Sequence, residues 1–294
     1  MKNQLPTEGI NPRTKHLDRL SPAALAHVFN VEDFNAARAV KKANKEIATA
    51  IIWAAKTYSG KHKIIFIGAG TSGRLGILEA VECVPTFGTK PGEIIGLIAG
   101  GNKAVFRSQE GAEDDAKQGA REIKKHARKG DLVFGLTASG RTPYVLGALT
   151  QAQKTGAQTI LVSCNPTADI SHAHLHICLQ TGAEALSGST RLKAGTATKM
   201  ALNAITTGAM VLCGKTYGNL MVDVQPTNKK LVARAVRLIA QIAQTDEKTA
   251  AKLLISSGKN VKTAVVMHRK KITRIQAQAQ LKKANGFLGK TLND

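Results

Sequence analysis

The sequence predicts an α/β protein built on a doubly wound, mostly parallel sheet. Five apolar runs rich in β-branched residues alternate with segments of helical periodicity, which is typical of parallel strands covered by helices. Hydrophobic residues make up 43% of the chain but aromatic residues only 4%, so Ala, Val, Ile and Leu must form the core. The predicted strands are residues 63–67, 93–98, 131–136, 159–163 and 174–179, and the predicted helices of this region are 74–83, 103–128, 143–155 and 192–213.

Helices are also expected before and after the sheet. Residues 20–58 are apolar at helical intervals and should pack ahead of the first strand. After Pro226 the pattern is helical only, over about 228–244, 247–256, 260–267 and 272–284, with Thr245 and Asp246 as an N-cap and Gly258 as a helix stop. We therefore expect an N-terminal helical segment (1–58), a sheet domain (59–226) and a small C-terminal helical module (227–294).

The formal net charge of +22 raises the question of a nucleic-acid partner. Residues 229–294 carry 15 Lys and Arg against 3 Asp and Glu, but at helical spacing, without interleaved aromatic residues or a recognised binding motif. A solvated basic surface is therefore favoured, and a nucleic-acid partner is not expected. The amino terminus is polar, no apolar run approaches the ~20 residues of a membrane span, and the cysteines lack paired spacing, so we expect a cytoplasmic protein without a membrane partner.

Two turns rich in Gly, Ser and Thr follow predicted strands and open predicted helices, at residues 68–74 and 137–143. Backbone N–H groups at a helix N-terminus attract anions, short hydroxyls add donors, and Pro143 suits the first helical position. One such turn often reflects only close packing of helix on strand, but two in one sheet favour a phosphate site. Neither turn continues as a P-loop, which makes a nucleotide the weaker option. The predicted phosphate-binding residues are Thr71, Ser72, Ser139, Gly140, Arg141 and Thr142.

Two acidic features are candidates for proton transfer. Glu82 precedes Pro85, which should end the helix, so this carboxylate would lie near the negative end of the helix dipole, where the protonated form and a general-acid role are favoured. Residues 110–115 place four carboxylates in an expected helix, although Gly111 weakens that helix and the charges repel one another. For both features a solvated surface carboxylate is the alternative.

Two further clusters have weaker interpretations. His172, His174 and His176 alternate along a predicted strand, but ligands two residues apart on a flat strand converge poorly on a tetrahedral ion, so a metal site is disfavoured. Residues 187–196 form another Gly/Ser/Thr turn that opens a helix, with Arg191 and Lys193 in its first turn. Cations there oppose the helix dipole, which favours a bound anion, with simple solvation as the alternative.

Collinear motifs occupy residues 67–76, 82–83, 85–86, 97–101, 110–114, 138–144, 163–166, 182–184, 188–196 and 218–224, after Thr7, Glu8, Asn11, Leu17 and Asp18 near the start. In this order they resemble the sugar isomerase (SIS) fold family and, within it, the N-acetylmuramic acid 6-phosphate etherases. The resemblance covers nearly the whole chain. Two departures are Val84, where the family commonly has proline, and Phe87, where tyrosine is frequent.

The resemblance implies an SIS fold and cleavage of the ether between D-lactate and N-acetylglucosamine 6-phosphate in cytoplasmic recycling of cell-wall amino sugar. It implies that Glu82 is the proton donor and Glu113 a second active-site residue, that no metal or other cofactor takes part, and that the chain forms a homodimer. A sugar-phosphate sensor is the alternative, because the glucokinase regulatory protein shares the fold family, although it resembles two such domains in tandem. The further candidate substrate contacts are Glu184, Ser189, Arg191 and Lys193.

Overall fold

A computed structural model describes residues 5–293, so the polar residues 1–4 lie outside the described part of the chain. The chain divides into two units. The first unit comprises Met1–Ala80 and Gly92–Thr206, and the second comprises Val81–Pro91 and Thr207–Asp294. The predicted division into three segments at residues 58 and 226 stays a prediction.

The first unit is built on one parallel sheet. Its strands are β1 (Ile64–Gly68), β2 (Ile94–Ile98), β3 (Leu132–Leu136), β4 (Gln158–Ser163) and β5 (Leu175–Cys178). They lie side by side in the order β2-β1-β3-β4-β5, and every pairing is parallel. In the central strand, Ile64 is in register with Ile94 on one side and with Leu132 on the other. The predicted α/β class and its five strands are confirmed.

Helices precede, separate and follow the strands of the sheet along the chain. They are α1 (Pro22–Lys42), α2 (Asn44–Ser59), α3 (Gly70–Phe87), α4 (Lys103–Phe106), α5 (Ala116–His126), α6 (Pro143–Lys154) and α7 (Lys193–Leu212). Helices α5 and α6 pack unusually close together, because a Cβ on Gly119 would lie 1.9 Å from Tyr144 O and one on Gly147 would lie 2.2 Å from Ala116 O. Only glycine permits this approach, which fixes the start of α5 against α6.

Two predicted helices of this region differ in the structure. The expected helix 103–128 is interrupted, because residues 107–115 form a loop with a single 3₁₀ turn at Ala112–Asp114. The expected end of α3 at Pro85 is wrong, since the helix contains this proline and continues to Phe87. Gly88 follows with φ 63°, and a glycine in the left-handed region is a common helix end.

The core of the first unit consists of aliphatic side chains from both faces of the sheet. All five residues of β1 and of β3 are buried, as expected for strands covered by helices on both faces. Phe66 and Phe134 stack across these strands with ring centroids 5.0 Å apart. Fully buried aliphatic side chains contribute roughly 1.5–3 kcal/mol each, so this core holds the loops at the strand ends on a rigid base.

The second unit contains the C-terminal helices α8 (Lys229–Ala243), α9 (Glu247–Ser256), α10 (Val261–Lys270), α11 (Arg274–Lys283) and α12 (Leu288–Leu292). The first four match the predicted segments, with Asp246 as the N-cap of α9 and Gly258 at φ 73° just beyond its end. Lys262 is buried in this unit, where its ammonium donates to Asp223 and to the carbonyls of Gly214 and Gly286. Burial lowers the pKa of Lys262 despite this partner. Among residues 5–293, no helix combines the length and apolar character needed to cross a membrane.

Candidate active site

The strand order brings the two predicted phosphate turns to one point of the sheet. From β1 the chain continues through α3 to β2 on one side, whereas β3 lies on the other side of β1. In sheets of this order, ligands bind outside the carboxyl ends of the strands, at the switch point between β1 and β3. The first turn follows β1 and the second follows β3, so they flank this point.

Hydroxyl groups of the second turn form a connected cluster around the buried Thr137. Thr137 Oγ1 lies 2.7 Å from Thr142 Oγ1 and 3.2 Å from Ser139 Oγ. The Gly140 N–H donates to Thr137 Oγ1 at 3.2 Å, and the Arg141 N–H donates to Ser139 Oγ at 3.1 Å. Thr142 is the N-cap residue of α6, but its side chain makes no capping hydrogen bond. The half-buried hydroxyls of Ser139 and Thr142 are thus oriented by one another and by Thr137.

Buried polar groups support this turn from the neighbouring strands. Asn165 Nδ2 donates to Ser139 O at 3.0 Å, and Ser163 Oγ donates to Asn165 O at 3.1 Å. His176 Nε2 lies 2.8 Å from Ser163 Oγ, and burial lowers the pKa of His176 although Glu46 opposes the shift. Sequence reasoning missed these supports. Asn165 follows a predicted strand and was detectable, whereas the contact of Ser163 with His176 depends on the pairing of β4 with β5.

The first turn combines close packing with a helix start. A Cβ on Gly73 would lie 2.7 Å from Gly68 O, and one on Gly76 would lie 2.8 Å from Phe66 Cβ, so these glycines let α3 approach β1. This packing is the alternative explanation for one such turn. The turn is nevertheless a helix N-terminus whose first N–H groups lack intrahelical partners, with Thr71 and Ser72 half-buried there.

A cleft of about 390 Å³ joins the first turn to the acidic loop. Gly70 lines one side, and Glu110 and Glu113 line another. Arg74 Nε donates to Val105 O at 2.9 Å, which fixes α4 beside α3. The 3₁₀ turn Ala112–Asp114 contacts α6, the helix that the second turn opens. The structure therefore places Glu113 in the cleft beside the first turn, with its 3₁₀ turn packed against α6.

The acidic run has a different local structure from the expected helix. Gly111 adopts φ 73° and Glu113 lies in the 3₁₀ turn. Asp115 is the N-cap of α5, where its carboxylate accepts from the Gln118 N–H at 2.8 Å. The repulsion between these carboxylates is relieved because they separate, with Asp115 at the helix start and Glu110 and Glu113 at the cleft.

Glu82 is exposed on α3 and belongs to the second unit, whereas Glu113 belongs to the first. Because α3 continues through Pro85 to Phe87, Glu82 lies within the helix and not at a helix-to-loop junction. The expectation that Glu82 lies at the end of the helix, where the dipole favours its protonated form, is therefore wrong. The role of Glu82 as a proton donor stays a prediction.

The turn at residues 187–196 is capped by the chain itself. Glu184 is fully buried, and its carboxylate accepts from the N–H of Lys193 at 3.0 Å and of Ala194 at 2.9 Å, at the start of α7. Burial raises the pKa of Glu184, and these backbone donors only partly offset the rise. A Cβ on Gly195 would lie 3.6 Å from Thr71 Cγ2, so this helix start lies beside the first turn.

The buried carboxylate of Glu32 explains why Lys193 can lie in that turn. Lys193 is 2% exposed, and its ammonium donates to Glu32 and to Ala183 O. Glu32 also pairs with Arg13 at 2.7 Å; burial raises the pKa of Glu32, but hydrogen bonds from Lys193 and Arg13 outweigh it and hold the pKa below its usual value. The expected bound anion is therefore not needed to explain Lys193. Sequence reasoning missed Glu32, which lies 161 residues from its partner.

Of the other candidate contacts in this turn, Arg191 is exposed and precedes α7, and Ser189 is half-buried. Nothing in these positions tests whether they, Glu184 or Lys193 contact substrate, so all four stay predictions.

The histidines bond to hydroxyls instead of converging on one point. His172 Nδ1 lies 2.8 Å from Thr150 Oγ1, and His174 Nδ1 lies 2.8 Å from Thr159 Oγ1. Over residues 5–293, no three His, Cys, Asp or Glu side chains are grouped so that they could hold a metal ion.

The chain is similar to known proteins along its whole length. Residues 46–153 match the N-terminal SIS domain of glucokinase regulatory protein, residues 112–208 match the SIS domain, and residues 218–285 match the C-terminal lid domain of glucokinase regulatory protein. The N-acetylmuramic acid 6-phosphate etherase of Oenococcus oeni is 48% identical over 292 residues, which cover 99% of this chain and 98% of the relative. The etherase of Staphylococcus epidermidis is 45% identical over 293 residues, which cover 99% of each chain.

Proposed function

This chain belongs to the N-acetylmuramic acid 6-phosphate etherase family, and from that membership we propose that it cleaves the D-lactyl ether of N-acetylmuramic acid 6-phosphate with water. The products are N-acetylglucosamine 6-phosphate and D-lactate, in the cytoplasmic recycling of cell-wall amino sugar. The observation that carries the proposal is the similarity to two named etherases over 99% of the chain. The cleft at the switch point, which joins Glu113 to the first turn, supports it.

We place the 6-phosphate of the substrate at the two turns that flank the switch point. Ser139 and Thr142 present hydroxyls at the start of α6, and Thr71 and Ser72 do so at the start of α3. A phosphate there would receive hydroxyl and backbone N–H donors and would lie at the positive end of two helices. Gly140 adopts φ 72°, and a Cβ there would lie 2.4 Å from Ala168 Cβ, so only glycine fits this turn. Arg141 adds a cation.

The reaction proceeds as an elimination followed by a hydration. When the sugar ring opens, the aldehyde acidifies the neighbouring C–H bond, and a base removes that proton. The electron pair forms a carbon–carbon double bond as the bond to the lactate oxygen breaks. Lactate is a poor alkoxide leaving group, so it needs a proton from a general acid, which we assign to Glu82. We assign to Glu113 the proton beside the aldehyde or the positioning of the water that then adds to the double bond.

The direct test is release of lactate from purified protein and N-acetylmuramic acid 6-phosphate, with unphosphorylated N-acetylmuramic acid as the matched control. The proposal expects steady turnover of the phosphorylated sugar and far slower turnover of the control. If the protein bound the phosphorylated sugar but released no lactate, the etherase assignment would be wrong.

That last result would favour a non-catalytic sugar-phosphate sensor. The matches to two domains of glucokinase regulatory protein are the observation behind this second candidate. We place it behind the etherase because the relatives compared above match the full length of this chain under the etherase name.

We also propose that the chain acts as a homodimer, as the family resemblance implies. Sedimentation of active protein at assay concentration tests this. A fully active monomer would contradict it.

A further inference from the structure

A second cleft, lined by cations, lies in the first unit near the end of β5, an edge strand of the sheet. It has a volume of about 410 Å³ and lies between residues 11–13, α1 and the residues that follow β5. In the strand order, β3 and β4 separate β5 from β1, and the switch point of the candidate active site lies between β1 and β3. The proposed elimination and hydration assign no step to the residues of this cleft, although Lys193 is also a candidate substrate contact.

The charge of this cleft is strongly one-sided. The lining residues include four cations and no carboxylate: Arg13, Arg38, Lys42 and Lys193. Glu32 pairs with Arg13 and Lys193 from behind and neutralises one charge. Within residues 5–293, neither Arg38 nor Lys42 has a carboxylate within ion-pair distance, so the cleft keeps an excess of about three positive charges.

Three of the four cationic groups make hydrogen bonds to the protein. Arg13 Nε donates to Glu32 at 2.7 Å, and Arg38 Nη1 donates to Asn35 Oδ1 at 3.1 Å. Lys193, which is 2% exposed, donates to Ala183 O at 2.6 Å and so fixes the segment after β5 that lines the cleft. Gly182 adopts φ 71°, and a Cβ there would meet no atom within 4 Å, so open space faces this backbone.

We propose that this cleft binds a phosphate group, either free or carried by a small phosphorylated metabolite. The guanidinium groups of Arg13 and Arg38 and the ammonium of Lys42 suit the double charge and the several acceptor oxygens of a phosphate dianion better than a single carboxylate. The volume of the cleft falls within the range of small-molecule sites, so an ester with a sugar-sized body fits. The proposal does not rest on the etherase activity.

The test is a titration of deuterated, ¹⁵N-labelled full-length protein with inorganic phosphate at fixed ionic strength, followed by NMR. The backbone amide of Gly182 reports the second cleft, and that of Gly140 reports the turn before α6. Arg38→Gln and Lys42→Gln should each weaken binding at Gly182 by about tenfold or more, because each removes a charge-assisted hydrogen bond. Both should leave the Gly140 titration unchanged.

Lys41→Gln is the matched control, because Lys41 is an exposed neighbour on α1 that does not line the cleft. It removes the same charge and should not change the affinity at Gly182. Equal weakening by Lys41→Gln would mean diffuse attraction by the net charge of the chain, and an absence of saturable shifts at Gly182 would likewise overturn the proposal.

N-acetylglucosamine 6-phosphate and unphosphorylated N-acetylglucosamine distinguish the source of the phosphate. Tighter binding of the ester than of inorganic phosphate at Gly182 assigns a phosphorylated metabolite, and equal binding assigns free phosphate. Equal binding of the unphosphorylated sugar would contradict the proposal.

Discussion

Helices α6 and α7 begin with similar Gly-, Ser- and Thr-rich turns, but the chain treats the two helix starts differently. At α7 the buried carboxylate of Glu184 accepts from the first two N–H groups, and Glu32 neutralises Lys193. At α6 no carboxylate caps the helix, and the hydroxyls of Ser139 and Thr142 are held by Thr137 at the switch point. The comparison teaches that composition alone does not identify an anion site, because an internal carboxylate can occupy the position that a ligand would take.

The largest expected effect is on lactate release, and it distinguishes the exposed Glu82 and Glu113 from the buried Glu184. Glu82→Gln and Glu113→Gln should each lower lactate release by ~10²–10⁴-fold, the usual contribution of a positioned acid or base, without loss of stability. Solvent deuterium separates their roles, since Glu82→Gln should still exchange the proton beside the aldehyde and Glu113→Gln should be impaired in exchange or hydration. Asp114→Asn, a neighbouring exposed carboxylate that does not line the cleft, should retain activity. Near-normal lactate release by Glu82→Gln would refute the assigned acid.

Glu184→Ala should instead lower the stability of the fold. It leaves the N–H groups of Lys193 and Ala194 buried without an acceptor, which should lower the free energy of unfolding by on the order of 2–4 kcal/mol. Ser139→Ala, at the other helix start, should cost no more than about 1 kcal/mol. Urea unfolding of both variants measures the difference. Similar losses for the two variants would remove the contrast between the helix starts.

A smaller effect concerns the polar support behind the α6 turn. Burial holds the pKa of His176 below its ordinary value, so the unfolded chain takes up this proton before the folded chain does. Stability should therefore fall as the pH drops below about 6.5, by about 1.4 kcal/mol for each unit of pKa depression. His176→Asn should flatten this slope relative to the unmodified protein in urea unfolding between pH 7 and 5. An unchanged slope would show that His176 does not titrate in this way.

Sequence patterns predicted the sheet and its turns because strand periodicity and helix-start chemistry are local. They could not predict that α3 passes through Pro85, since the helix end depends on Gly88 and not on the proline. They also placed residues 110–115 in a helix, whereas Gly111 takes a left-handed conformation that separates the carboxylates. The pairing of Lys193 with Glu32 joins residues from distant parts of the chain, so no local pattern contains it.

The central claim, that the α6 turn holds the phosphate and the α7 turn is capped internally, is tested most directly by product inhibition. The measurement is the competitive inhibition of lactate release by N-acetylglucosamine 6-phosphate and by unphosphorylated N-acetylglucosamine. Ser139→Ala should lose about tenfold of the preference for the phosphorylated sugar, because it loses a hydrogen bond to a charged group, whereas the matched variant Ser189→Ala should keep the preference. If Ser189→Ala lost the preference and Ser139→Ala kept it, the phosphate would lie at the wrong helix and the account would be contradicted.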